Sequence, residues 1–90
     1  MYKIVRAEEL TTNIYLFEVE AKRVAKACLP GQFVIVRTGE DGERIPLTIS
    51  DYNREKGTIT IVVQTIGAGT NEMRDLKAGD FFHDFVGPLG

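Results

Sequence analysis

One predicted strand carries a cation, a proline and a hydroxyl at alternating positions. Its sequence is Arg44-Ile45-Pro46-Leu47-Thr48. Alternation places Arg44, Pro46 and Thr48 on one face of the strand and the aliphatic residues on the other. A guanidinium can neutralise a phosphate or the electron-rich edge of a ring, and a threonine hydroxyl can donate to or accept from a ring nitrogen. Pro46 cannot donate to a strand ladder and is expected at an edge or a bulge. The alternative, a solvated strand face beside an edge proline, stays open.

A second candidate is the turn Gly67-Ala68-Gly69-Thr70, which follows another predicted strand. Glycines let a backbone approach an anion closely, and the N–H groups at a helix start favour a pyrophosphate. Thr70 could add its hydroxyl to such a site. Taken alone, however, the segment is explained more simply by a strand exit with Thr70 as the N-cap of a short helix.

The other reactive side chains show no catalytic pattern. His83 lies in the predicted last strand without a nucleophile or a second histidine, and we interpret it as a surface or structural residue. The one cysteine, Cys28, permits no internal disulfide and no zinc or iron-sulfur site within these residues, so it is interpreted as a packing residue. The sequence therefore predicts no catalytic residue and no metal site.

The composition limits the class of protein. Ninety residues are enough for one domain with a single core. A content of 43% hydrophobic and 27% charged residues is typical of a globular protein, and no apolar run approaches the roughly 20 residues of a membrane helix. The first residues alternate without an apolar leader, so a cytoplasmic location is expected. The net charge of −2, with dispersed Lys and Arg, argues against nucleic-acid binding.

Strands must position these candidates, because strand signals dominate the chain. The clearest strand runs from Thr58 to Ile66, which is rich in β-branched residues. A helical turn can form between Ala21 and Leu29. Five further strands are predicted, at Tyr2 to Leu10, Asn13 to Glu20, Gln32 to Thr38, Arg44 to Tyr52 and Phe81 to Val86. This pattern predicts an all-β fold, a six-stranded antiparallel barrel with one short helix, since closure removes exposed edges.

Four short motifs occur in a fixed order along the chain: Pro30-Gly31-Gln32-Phe33, Arg44-Ile45-Pro46-Leu47-Thr48-Ile49, Gly67-x-Gly69-Thr70 and Gly87-Pro88-Leu89-Gly90. Together they resemble the Greek-key, FAD-binding barrel of the ferredoxin-NADP reductase superfamily. Within it, the chain is most similar to the flavin subunits of NADH-dependent reduced ferredoxin:NADP oxidoreductases, also called sulfide dehydrogenases. The electron-transfer subunits of dihydroorotate dehydrogenases are near relatives.

The resemblance implies a role for each matched residue. The strand from Ile45 to Thr48 would line the isoalloxazine ring of FAD, with Thr48 near the N5 side. The ring and ribityl chain would be flanked by Val62, Val63 and Gln64. The pyrophosphate would be held by Gly69 and Thr70. The implied chemistry is hydride exchange between a nicotinamide and FAD, followed by electron transfer toward an iron-sulfur centre.

Two features depart from the superfamily pattern, which runs Arg-x-aromatic-Ser/Thr. Counting back from Thr48 places Ile45 where the Arg belongs, so Arg44 lies one residue early. On a strand such an offset points the side chain to the other face, although the bend at Pro46 could restore its reach. Leu47 replaces the aromatic residue, so stacking on the ring must be aliphatic.

The relatives continue beyond the Gly-Pro-Leu-Gly segment. They enter an NAD(P)-binding domain and then a cysteine cluster, so residues 1–90 are expected to be the FAD-binding barrel domain of a longer protein. NAD(P)H and a [2Fe-2S] cluster would act only through the missing parts, and an iron-sulfur partner subunit is expected. This chain alone would not be competent for turnover. The alternative functions are a small β-barrel that binds a protein partner without flavin chemistry, and an electron-transfer domain of the dihydroorotate dehydrogenase type.

Overall fold

The computed structural model describes the backbone of residues 1–90 and every side chain except those at positions 68 and 69. Seven strands are present: β1 (Tyr2–Thr11), β2 (Ile14–Glu20), β3 (Phe33–Arg37), β4 (Ile45–Asn53), β5 (Thr58–Gln64), β6 (Phe81–Phe82) and β7 (Asp84–Leu89). Two short helices are α1 (Lys22–Ala27) and α2 (Ala68–Asn71), and a 3₁₀ turn, Glu72–Asp75, follows α2. Five of the six predicted strands agree with these bounds to within a few residues.

The strands form one antiparallel sheet in the order β6-β1-β2-β5-β4-β3-β7. The non-consecutive neighbours β2 and β5, and β3 and β7, give the sheet Greek-key connections. Its two ends, β6 and β7, are separated in the chain only by His83, so the edges meet and the barrel is nearly closed. The predicted all-β antiparallel barrel is confirmed.

The count of six strands is wrong by one because the last predicted strand breaks at His83. The segment before it, Phe81–Phe82, pairs with β1, whereas Asp84–Leu89 pairs with β3. The backbone N–H of His83 donates to the carbonyl of Arg37 at 2.8 Å. The break therefore lets one stretch of chain serve both edges of the sheet.

Side chains fill the interior of the barrel. A cluster of three phenylalanine rings lies in the core. Phe82 packs edge-on against Phe17 with 6.0 Å between ring centroids, and its centroid lies 6.1 Å from that of Phe85. Branched aliphatic residues such as Val34 and Val36 of β3 are fully buried beside them, and so is Cys28. A barrel of this size leaves no room inside for a nucleotide, so any such ligand must bind on the outer surface.

The two helices lie outside the sheet. α1 buries Val24 and Ala25 and falls within the segment where a helical turn was predicted. α2 has Gly67 as its N-cap, because the carbonyl of Gly67 accepts from the backbone N–H groups of Thr70 and Asn71. The prediction of Thr70 as the N-cap is therefore wrong. No helix in the described part of the chain is long and apolar enough to cross a membrane.

Candidate functional site

The sheet splits open between β4 and β5. Their ladder runs from Asn53↔Thr58 to Ile49↔Ile61 and stops there. Beyond that point the first half of β4 pairs only with β3, and the last residues of β5 pair only with β2. Within the described residues, each strand therefore presents an unpaired edge to the split. Ser50 is left over between Ile49 and Asp51 in the β4 register, a bulge at the point where the strands separate.

The open half of β4 carries the first group of predicted residues. Arg44, Pro46 and Thr48 are exposed on the outer face, as alternation predicted. Pro46 pairs with Ile35 of β3 on one side and faces the split on the other, so it lies at a local strand edge. The bulge in β4 is at Ser50, not at Pro46. Ile45 and Leu47 pack against the core and could contact a ligand only through the part of each side chain that remains exposed.

The end of β5 carries the second group. Val62 is 37% exposed and Gln64 is also exposed, so both present their side chains on the outer surface beside the split. Val63 is 1% exposed and points into the core, where it could reach an outer ligand only through its backbone. The three residues predicted together thus separate by strand alternation into two side-chain candidates and one backbone candidate.

The turn after β5 lies near the split. The Thr70 hydroxyl donates to the carbonyl of Gly67 at 3.1 Å and accepts from its N–H at 3.2 Å, so this hydroxyl closes the turn. Thr38, just after β3, donates to the carboxylate of Glu72 at 2.9 Å, which draws the turn toward the start of β4. Gly69, the other predicted pyrophosphate contact, lies in α2, and the surroundings of its side-chain position are outside the described part of the chain.

A charged cluster marks the same end of β3 and β4. Asp84 of β7 lies 2.7 Å from Nη2 of Arg37 and 3.4 Å from Nη1 of Arg44. Arg37 also donates through Nη1 to the carbonyl of Glu40 at 2.8 Å. Its Nε is buried and has no partner among the described atoms. Two guanidinium groups share one carboxylate, so the cluster carries a net positive charge.

Sequence reasoning missed Arg37 and Asp84. They meet because β3 pairs with β7 in a register that sets Arg37 opposite Asp84. That register joins residues 47 positions apart (84 − 37), and no local sequence pattern predicts it. His83, next in the chain, is half-buried, and the structure brings no nucleophile to it among the described contacts. Nor does any group of three His, Cys, Asp or Glu residues gather as metal ligands in the described part of the chain.

Comparison with known proteins gives the chain clear relatives, although no family model matches it. It is 59% identical over 90 residues to an uncharacterized protein in the adh 3' region of Clostridium beijerinckii, covering 100% of this chain and 30% of that protein. It is 41% identical over 88 residues to a homolog of the dihydroorotate dehydrogenase B (NAD(+)) electron transfer subunit of Thermotoga maritima, covering 98% and 31%. The chain thus spans about a third of the length of the curated relatives it matches.

Over nearly its whole length, the chain is similar to one part of electron transfer subunits of the dihydroorotate dehydrogenase B (NAD(+)) type. The resemblance read from the four motifs is thereby confirmed. One similar solved structure is that of the NADH-dependent reduced ferredoxin-NADP oxidoreductase, described in connection with flavin-based electron bifurcation. It superposes with a TM-score of 0.96 at 40% identity, covering 100% of this chain and 33% of that one.

Proposed function

We propose that this chain is the FAD-binding barrel of an NAD(P)H-dependent oxidoreductase that passes electrons between a nicotinamide, FAD and an iron-sulfur centre or ferredoxin. The observation that carries the proposal is the split between β4 and β5. It offers two unpaired strand edges with Thr48 on one side and Val62 and Gln64 on the other. Backbone donors and acceptors beside a hydroxyl are what the polar edge of a flavin ring requires.

The charged groups near the split fit the other end of the nucleotide. The pyrophosphate of FAD carries negative charge, and the cluster of Arg37, Arg44 and Asp84 has an excess of one positive charge. Arg44 is 60% exposed and can still turn toward a ligand. The buried Nε of Arg37 is an unused donor at the same place.

Particular residues would then hold the cofactor. Thr48, with the open edge of β4, would contact the ring, and the aliphatic portions of Ile45, Pro46 and Leu47 would line it. Val62 and Gln64, with the backbone of Val63, would bound the ring and ribityl chain. The pyrophosphate would lie against the Gly69-Thr70 turn and Arg44. Bound FAD would supply the exchange between two-electron hydride chemistry and one-electron transfer.

The rest of the reaction belongs to parts of a longer protein and is proposed with it. A nicotinamide-binding domain, a [2Fe-2S] cluster and an iron-sulfur partner subunit would complete the electron path, in the cytoplasm, and the 90-residue chain would not turn over alone. A dihydroorotate-linked electron-transfer subunit is the second candidate, favoured by the relative in Thermotoga maritima. Both candidates would use the same proposed flavin site.

The experiment is a titration of the 90-residue chain with FAD, followed by flavin fluorescence and the visible spectrum, with FMN as the control ligand. We expect saturable quenching and a preference for FAD, because only FAD carries the second phosphate and the adenosine. No saturation by about 1 mM FAD, which corresponds to about −4.1 kcal/mol of binding free energy, would count against the site in this chain.

Thr48→Val tests the ring contact. Loss of one hydrogen bond costs about 0.5–1.5 kcal/mol, so the dissociation constant for FAD should rise about 2- to 12-fold. Thr11→Val is the matched control, since Thr11 is also an exposed strand threonine but lies at the end of β1. Equal affinities of the two variants for FAD would contradict the role assigned to Thr48.

A further inference from the structure

A basic hollow lies between α1 and the β4–β5 hairpin, at the opposite end of β4 from the proposed flavin site. Its volume is about 350 Å³. The four cations that line it define the basic hollow: Lys22, Arg23, Lys26 and Arg54. The only carboxylate that lines it belongs to Glu55, so the hollow carries an excess of positive charge although the whole chain has a net charge of −2.

These cations have no anionic partners within the described part of the chain. The salt bridges there join Arg6, Arg37 and Arg44 to carboxylates, and none reaches the basic hollow. The positive charge in the hollow is therefore available to a ligand from solution.

One of the cations is held in place, and the aliphatic stem of a second packs against the hairpin. Nη2 of Arg54 donates to the carbonyl of Cys28 at 2.8 Å, and its guanidinium lies 4.5 Å from the centre of the Tyr52 ring. The stem of Lys22 passes so close to Gly57 that a Cβ at position 57 would lie 2.5 Å from Cγ of Lys22. Since the Arg54 guanidinium is already positioned, its contact with an anion would cost little side-chain entropy.

The arrangement lowers the stability of α1. The first turn contains Lys22 and Arg23 and no acidic residue, the reverse of what the helix dipole favours. Lys22 and Lys26 stand four residues apart on one helix face, where like charges repel. A bound anion would offset both effects. This charge pattern is therefore explained by ligand binding and not by the stability of the fold.

We propose that the basic hollow binds a small anion with two or more phosphate groups. Its volume lies within the range of small-molecule sites, and its concave shape suits a compact ligand better than a flat protein surface. Thr48 and Arg54 are six residues apart along nearly one strand, or roughly 20 Å at about 3.3 Å per residue. The proposal is therefore independent of the flavin site.

The test is calorimetric titration of the 90-residue chain with inorganic tripolyphosphate at low ionic strength, where screening is weak. We expect saturable binding at one site. The double substitution Lys22→Gln/Lys26→Gln should weaken it about tenfold or more, because charge-assisted contacts are lost. Lys3→Gln/Lys77→Gln is the matched control: both lysines are exposed, neither lines the basic hollow, and the change in net charge is the same.

Melting curves of each variant establish that it is folded, and Lys26→Gln alone serves as a milder second variant with a smaller loss of affinity. Thr48→Val should leave tripolyphosphate binding unchanged, which separates this result from the fate of the flavin proposal. No binding to the unsubstituted chain, or equal losses in the two double variants, would overturn the proposal. So would binding of poly-glutamate without binding of tripolyphosphate, since the surface would then serve an acidic protein.

Discussion

Replacing Asp84 by Asn should destabilise the barrel through the charged cluster of β3, β4 and β7. Asn keeps the size of the side chain but removes the charge that two guanidinium groups share. The side chains of Arg37 and Asp84 are 19% and 28% exposed and 2.7 Å apart. An exposed ion pair contributes about 0–1 kcal/mol, whereas breaking a buried one costs about 3–5 kcal/mol. This half-buried pair should lie between them, at about 2 kcal/mol.

Urea and thermal denaturation measure the effect. For a domain of this size, a loss of about 2 kcal/mol lowers the Tm by roughly 8–16 °C. Asp41→Asn is the control, because Asp41 is an exposed loop residue of the same charge. Double-mutant cycles should give a large coupling between Asp84 and Arg37 and a coupling below about 0.5 kcal/mol between Asp84 and the exposed Arg44. Equal Tm values for the Asp84 and Asp41 variants would refute this reasoning.

Two further predictions concern backbone and core. Gly57→Ala should lower the free energy of unfolding by roughly 1–3 kcal/mol, because Gly57 has φ +71° and an added Cβ would strike Lys22. Gly39→Ala is the control and should be neutral, since the space around Gly39 is open. The two variants are compared by their denaturant midpoints, and equal midpoints would contradict the account. Val63→Ala should lower stability by about 2 kcal/mol and leave the FAD affinity of the folded chain intact, because Val63 is buried. Val62→Ser should weaken FAD binding at little cost in stability, because Val62 is partly exposed. The reverse pattern would show that the two faces of β5 are misassigned.

Much of the barrel was predictable because its signals are local. The β-branched run from Thr58 onward specifies β5, and alternation correctly set Arg44, Pro46 and Thr48 on the outer face of β4. The break at His83 was not predictable in this way. It depends on which strand each half of the segment pairs with, and those partners are distant in sequence.

The candidate site was predictable only in part. Resemblance named Val62, Val63 and Gln64 as one group, although alternation in a half-buried strand sends Val63 to the core. The Arg37–Asp84 pair depends on the register between β3 and β7, and the split depends on where the β4–β5 ladder stops. Both follow from long-range pairing, which a single sequence does not display.

The helix start after β5 shows a third kind of difference. A threonine before helix-compatible residues is a common N-cap signal, and it favoured Thr70. In the structure Thr70 lies inside the turn, and its hydroxyl bonds back to Gly67. Glycine at a cap gives no side-chain signal, so the sequence pattern favoured the wrong residue.

The central claim, that FAD binds at the split between β4 and β5, is tested most directly by mapping amide chemical shifts of the 90-residue chain as FAD is added. We predict that the shifts concentrate in the amides of residues 44–48, apart from Pro46, and of residues 62–70, with α1 and the hairpin around Arg54 unaffected at saturation of the flavin site. Shifts confined to α1 and that hairpin would mean that only the phosphates of FAD are recognised, at the basic hollow. That result, or the absence of any shift, would contradict the account.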